Sequence, residues 1–250
     1  MSTFSLPPDE RRIRAAAKRR LILEFLGTGE TWTTLVVVEA LLSASRWTAK
    51  RTVTAMVRDG LLREASLTFA GVRRLIYGIT PTGCAELGQF GADAWPFVQP
   101  PAPDQYEHHI ALQRAHLVAM AKGWDWLPQR VVSVRREELK LKKLPDAIAT
   151  TPKGTRLAIE IERTLKSRHR YAEAVGAHLA DVTAGRYAQV HYISPDGKAE
   201  TLRRAFNALE FVKVAGDLQK MDPAKHLAAI RFYNQADWPT PSTQQQGAAP

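Results

Sequence analysis

The segment LPDAIATTPKGTRLAIEIERTLKS places three carboxylates at a spacing that suits phosphodiester chemistry. Asp146 sits in one apolar strand, and after a turn at Pro152-Lys153-Gly154 a second apolar strand carries Glu160 and Glu162. Side chains alternate along a strand, so Glu160 and Glu162 project to one face and can converge with Asp146 from the neighbouring strand. Three acids among Leu157, Ala158, Ile159 and Ile161 repel one another unless something neutralises them. A divalent cation does this, and Mg²⁺ (or Mn²⁺) on oxygen ligands could polarise a phosphate and activate water without a protein nucleophile. The competing reading makes Glu160 and Glu162 exposed edge-strand residues that pair with Arg163 or Lys166.

Two other groups stand near this segment in sequence. His108 and His109, after Glu107, open a helix, and a histidine beside an acid can move a proton or touch a phosphate. Adjacent helical residues point in different directions, so at most one of the pair enters a site. Lys166, Arg168, His169, Arg170 and Tyr171 cluster at a helix start, where backbone N–H groups favour anions. A solvated basic face would look the same.

The elements that must position these residues form a second domain over 106–238. A helix is expected from Tyr106 to Lys122, strand material over Trp126–Val134, strands over Leu144–Thr150 and Leu157–Thr164, a helix over Arg168–Thr183, a strand over Tyr187–Ser194 and a helix over Lys198–Leu209. This α-β-β-β-α-β order predicts a mixed sheet flanked by helices. Residues 90–105 (FGADAWPFVQPPAPDQ) are rich in Pro, Ala and Gly and read as a linker. The tail 239–250 lacks apolar residues and is expected to be disordered.

Residues 1–89 read as a winged helix-turn-helix. A helix over Asp9–Leu26 carries Ile13, Ala17, Leu21, Phe25 and Leu26 at helical spacing. A second follows over Thr34–Leu42, and a third, capped by Ser43 or Ser45, runs to Asp59. A hairpin then turns at Ala70-Gly71, and a short helix begins after Pro81. The third helix has the character of a recognition helix, burying Val53, Met56 and Val57 while Arg46, Thr48, Lys50, Arg51 and Thr54 face outward to phosphates and base edges. Arg73 and Arg74 lie near the tip of the hairpin. The bland alternative is a small helical domain with solvated charges.

The chain has 250 residues, 45% hydrophobic and 24% charged, and a net charge of +10, which favours a polyanionic partner. No apolar stretch approaches the roughly 20 residues of a bilayer span, and the N-terminus lacks a signal-peptide core, so a cytoplasmic protein with no membrane insertion is expected. The single cysteine, Cys84, fits a reducing compartment and leaves any metal to oxygen or imidazole ligands.

Pro145-Asp146 followed by Glu160-Ile161-Glu162 resembles the PD-(D/E)xK nuclease superfamily, with Glu162 where that superfamily usually has Lys; some restriction endonucleases have E-x-E there and remain active. The wider order, a winged helix, then EHHIALQRAHLVAMAKGW, LPDAI, AIEIERTLKSRHRYAEAVGAHL and YAQVHYIS, is similar to the MobC mobilisation proteins and plasmid replication-relaxation proteins over roughly residues 10–210. The resemblance implies an α+β protein whose winged helix precedes a restriction-endonuclease-like domain. It also implies a relaxase-like activity at a plasmid or mobile-element transfer origin, with Asp146, Glu160 and Glu162 binding the metal and Lys166, His108 and His109 secondary. Some relatives carry a Lys two residues beyond E-x-E, where this chain has Thr164. The expected partners are double-stranded DNA, relaxosome proteins or a coupling protein. The alternative is a non-catalytic DNA-binding regulator or relaxosome accessory protein on a nuclease-like scaffold.

Overall fold

The computed structural model describes residues 7–88, 94–214 and 217–240. The chain is a mixed α/β protein that divides into two compact units, 1–113 and 114–250.

In the first unit, α1 (Pro8–Phe25) leads into a π-helical turn, Leu26–Glu30. There follow β1 (Trp32–Thr33), α2 (Leu35–Leu41), α3 (Arg46–Arg58), β2 (Leu62–Phe69), β3 (Val72–Ile79) and α4 (Pro81–Gly88). The buried face of α1 is formed by Ile22, Leu23 and Phe25. The expected stripe fails towards the N-terminus: Ile13 is 68% exposed and Ala17 is exposed too, because the first turns of α1 extend past the partners that cover its end. Ser45 caps α3 by accepting the Thr48 N–H, which fixes where that helix begins. The three strands form an antiparallel sheet in the order β1-β3-β2. Buried Gln113 donates to Trp32 O at 2.6 Å and accepts from Thr33 Oγ1 at 2.8 Å, which anchors β1.

The expected linker packs instead as part of this unit from residue 94 onward; residues 90–93 lie outside the described residues. Phe97 is buried and lies flat on Gly78, where a Cβ would come within 2.2 Å of its ring. Its N–H donates to Ile79 O at 2.8 Å, and Arg63 donates to the Phe97 carbonyl at 3.0 Å. One aromatic ring and these two hydrogen bonds order a stretch whose composition reads as loose. The unit boundary accordingly falls between Gln113 and Arg114, within α5 (Tyr106–Ala121), rather than at 105.

The second unit continues with β4 (Asp125–Pro128), α6 (Gln129–Val134), α7 (Arg136–Leu139), β5 (Ala147–Thr150), β6 (Arg156–Ile161), α8 (Arg168–Thr183), β7 (Gln189–Ser194) and α9 (Ala199–Asn207). It ends with β8 (Phe211–Val214), β9 (Asp217–Lys220), α10 (Pro223–His226) and β10 (Ile230–Asn234). Strand material was expected to 134, but Pro128 closes β4 and Gln129–Val134 turns helical, burying Val132. A five-stranded sheet runs β10-β7-β6-β5-β4, parallel at β10–β7 and β7–β6 and antiparallel at β6–β5 and β5–β4. Their place at the centre of the sheet buries β6 and β7 on both faces, so polar residues such as Glu160, His191 and Ser194 are buried along with the apolar ones. Tyr171 and Val175 of α8 and Leu202 and Phe206 of α9 join Val190, Tyr192 and Phe232 in one core. The strand β8 crosses α8 at Gly176, where a Cβ would meet Lys213 O at 1.6 Å. Of the expected tail, only Pro239 and Thr240 are among the described residues.

A buried acid and lysine centre in the second unit

Both glutamates of the E-x-E motif are buried, at 6% exposure each, so neither is a solvated edge residue. Strand β6 lies between β5 and β7, and burying a carboxylate there requires a partner. Glu160 Oε1 meets Lys143 Nζ at 2.8 Å and His178 Nε2 at 3.3 Å. Burial alone would raise the Glu160 carboxyl, but His178 and Lys143 outweigh it and hold the group down to about 2. Glu162 Oε2 meets Lys166 Nζ at 2.9 Å. Burial pushes the Glu162 carboxyl above its ordinary value; Lys166 opposes that, and the charges of Glu160 and Asp146 add to it. The E-x-E spacing therefore does bring both side chains to one place. They line a cavity of about 240 Å³ together with Lys143, Lys166, Arg170 and Tyr171.

Asp146 turns its Oδ2 to the backbone N–H of Ile161 at 2.8 Å, while its own N–H donates to Ile159 O at 3.0 Å. These two bonds pin the start of β5 to β6.

The most elaborate support of the centre is a set of residues that the sequence motif does not mark. Asp181, fully buried on α8, accepts the backbone N–H groups of Lys142 and Lys143 at 2.9 Å each, Arg186 at 2.5 Å and the Tyr187 hydroxyl at 3.1 Å. Because the single Tyr187 hydroxyl proton goes to Asp181, its oxygen is left to accept from His178 Nδ1 at 2.7 Å. Asp181 thus fixes the loop carrying Lys143 and, through Tyr187, the ring facing Glu160. The available clue was periodicity: His178 and Asp181 lie seven and ten residues after the buried Tyr171, on the inward face of α8.

The other expected site residues are spread over both units. Lys166 and Arg170 reach the cavity, and Arg168 is exposed at the start of α8, which Ser167 caps. His108 and His109 belong to the first unit, where His109 meets Trp32 edge-on at 5.7 Å and the two imidazoles lie 5.9 Å apart. On α3, Ala49, Val53 and Met56 form the buried face, with Val57 only half-buried. Arg46 pairs with Glu39 at 3.0 Å, Lys50 donates to Tyr77 Oη at 3.1 Å, and Thr48 takes part in the Ser45 cap. Arg51 and Thr54 are exposed; the Arg51 guanidinium sits 4.4 Å from the ring centre of Trp47, itself 67% exposed. Arg73 and Arg74 are exposed in β3, opposite Thr68 and Leu67.

The donor chemistry of Asp146, Glu160 and Glu162 is that of a hard cation, and in this structure their oxygens are taken up by protein donors. Each carboxylate is engaged by a lysine or a backbone N–H, and among the described residues no group of three or more His, Cys, Asp and Glu side chains is placed to hold a metal ion. The charge that a cation would neutralise is met here by Lys143 and Lys166, with the His178 ring beside Glu160. Likewise, no helix among the described residues is long and apolar enough to cross a membrane.

No protein-family model and no curated protein matches the chain. Stf76 from the Sulfolobus islandicus plasmid-virus pSSVx, a solved structure, is similar at 24% identity over 28% of this chain and 92% of its own, with a TM-score of 0.24, a likeness that carries no argument.

Proposed function

We propose that the chain binds double-stranded DNA, with the first unit acting as a winged-helix reader and the second as a restriction-endonuclease-like domain whose acid and lysine centre faces the phosphate backbone. One observation carries this reading: α3 buries Ala49, Val53 and Met56 and leaves Arg51, Trp47 and Thr54 on its open side, beside a hairpin that exposes Arg73 and Arg74. A recognition helix needs that division of faces, and a wing touching flanking phosphates needs those arginines. The net charge of +10 supports a polyanionic partner. With the order of motifs described above, the natural context is a mobilisation or replication-relaxation protein acting at a transfer origin. A footprint on plasmid DNA tests this: a protected stretch supports the reading, and uniform cleavage at saturating protein defeats it.

A second reading, metal-dependent nicking, is favoured by the meeting of Glu160 and Glu162 with two lysines in one cavity. It requires Lys143 and Lys166 to give up their carboxylates to Mg²⁺ or Mn²⁺ when DNA phosphates compete for the ammonium groups. Conversion of supercoiled plasmid to open circles in either ion, lost in Glu160→Gln, separates it from the non-catalytic reading, in which the plasmid stays supercoiled.

A further inference from the structure

The Glu162 side chain also lines a second cavity, of about 230 Å³, together with Arg163, Ser194, Lys198, Thr201 and Leu202. The cavity lies at the carboxyl ends of the parallel strands β6 and β7, which are in register at Ile161 and Ile193. In open α/β sheets that edge is where ligands bind. Ser194 closes β7, is 2% exposed, and its Oγ has no hydrogen-bond partner among the described residues. A buried hydroxyl left without a partner calls for an explanation, and a ligand that accepts from it is one. Lys198 is exposed on the loop after β7 and has no carboxylate partner among the described residues, while Glu162 is already paired with Lys166.

The chemistry of the lining narrows the ligand. Beside the Glu162 carboxylate, two cations, the three hydroxyls of Thr164, Ser194 and Thr201, and the apolar Leu165 and Leu202 suit a phosphate with the sugar attached to it. The volume is below the roughly 300 Å³ at which pockets for whole drug-sized ligands begin, so it would take a part of a larger molecule. We propose that this cavity is a phosphate subsite for a DNA strand passing Glu162, with Lys198 and Arg163 facing the phosphate and Ser194 and Thr201 donating to it. The inference rests on the DNA-binding reading above.

The full chain and its Ser194→Ala and Lys198→Ala variants are titrated into a fluorescein-labelled single-stranded oligonucleotide and a labelled duplex at several salt concentrations, and each protein is melted with and without inorganic phosphate. Loss of one phosphate contact in Lys198→Ala should lower the salt slope on the single strand by about 0.7. Loss of one hydrogen bond in Ser194→Ala should weaken that binding about two- to tenfold, without lowering the melting temperature, since no partner is left unpaired. If the parent binds duplex but both variants match it on the single strand, the subsite is wrong and the DNA reading stands. If the parent binds neither DNA, the DNA reading falls, and the subsite is judged by phosphate alone: a melting shift in the parent that Lys198→Ala abolishes keeps it as a phosphate site, and no shift removes it. A Ser194→Ala variant that melts several degrees lower with unchanged affinity also overturns it.

Discussion

Replacing Asp181 by alanine should be among the most damaging single changes in the second unit, and the reason can be followed bond by bond. Its carboxylate is fully buried and accepts two backbone N–H groups, the Arg186 guanidinium and the Tyr187 hydroxyl. Alanine leaves all of these donors without an acceptor, one of them charged. Hydrogen bonds to a charged group contribute about 1.5–3 kcal/mol each, and breaking one side of a buried ion pair costs about 3–5 kcal/mol. The bonds share one carboxylate and do not add, so a loss of about 3–5 kcal/mol is expected, a large part of the roughly 5–15 kcal/mol that holds a domain together. At about 2–4 °C per kcal/mol for a protein of this size, the melting temperature should fall by about 6–20 °C. Asp181→Asn keeps the shape and one acceptor oxygen and should lose clearly less. Urea unfolding followed by tryptophan fluorescence measures both. A loss under about 1 kcal/mol for Asp181→Ala would refute the idea that this carboxylate organises the 142–143 loop.

His191 Nδ1 accepts the Trp238 indole N–H at 3.1 Å, and burial, with Arg231, lowers its pKa to about 4 from the usual 6.5. A depressed histidine contributes stability that is present above pH 6.5 and lost as pH falls to about 4, here up to about 3 kcal/mol. His191→Gln should flatten the stability profile in that window; an unchanged profile contradicts this. Gly176→Ala puts a methyl group against the Lys213 carbonyl and should destabilise by about 1–3 kcal/mol, read as a drop in the urea midpoint, whereas a neutral result would mean that β8 is free to shift away from α8. Arg73→Ala with Arg74→Ala should weaken duplex affinity less than Arg51→Ala does, since a wing mainly touches the backbone; band shifts at two salt concentrations compare them, and the reverse order would mean that the hairpin is the main reader.

Where local rules dominate, the sequence was legible. The helix α8 runs from Arg168 to Thr183 as expected, because Ser167 caps it and its apolar residues keep helical spacing. Glu160 in β6 and Glu162 just past its end line one cavity, as alternation along an extended chain predicts. What was missed depends on partners far along the chain. Three of the four residues 131–134 are valines and read as strand, yet Val132 packs into the core from a helix. The strands β8, β9 and β10 are short, and their pairing comes from neighbours rather than from a pattern of their own. Lys143, three residues before Asp146, reads as one charge in a basic run until Asp181, 38 residues later, fixes its backbone. The lysines also answer the repulsion among the acids, for which the sequence alone suggested a cation.

The central claim, that the first unit reads DNA through α3, is tested most directly by fluorescence anisotropy of a labelled duplex titrated with the full chain and with Arg51→Ala across a range of salt. Duplex binding should weaken linearly on a log–log salt plot. In Arg51→Ala the slope should fall by about one if the arginine meets a phosphate, or about 1–3 kcal/mol should be lost on the preferred site alone if it meets a base. Parent and variant binding alike at every salt concentration, or a parent that does not bind duplex at all at low salt, would contradict it.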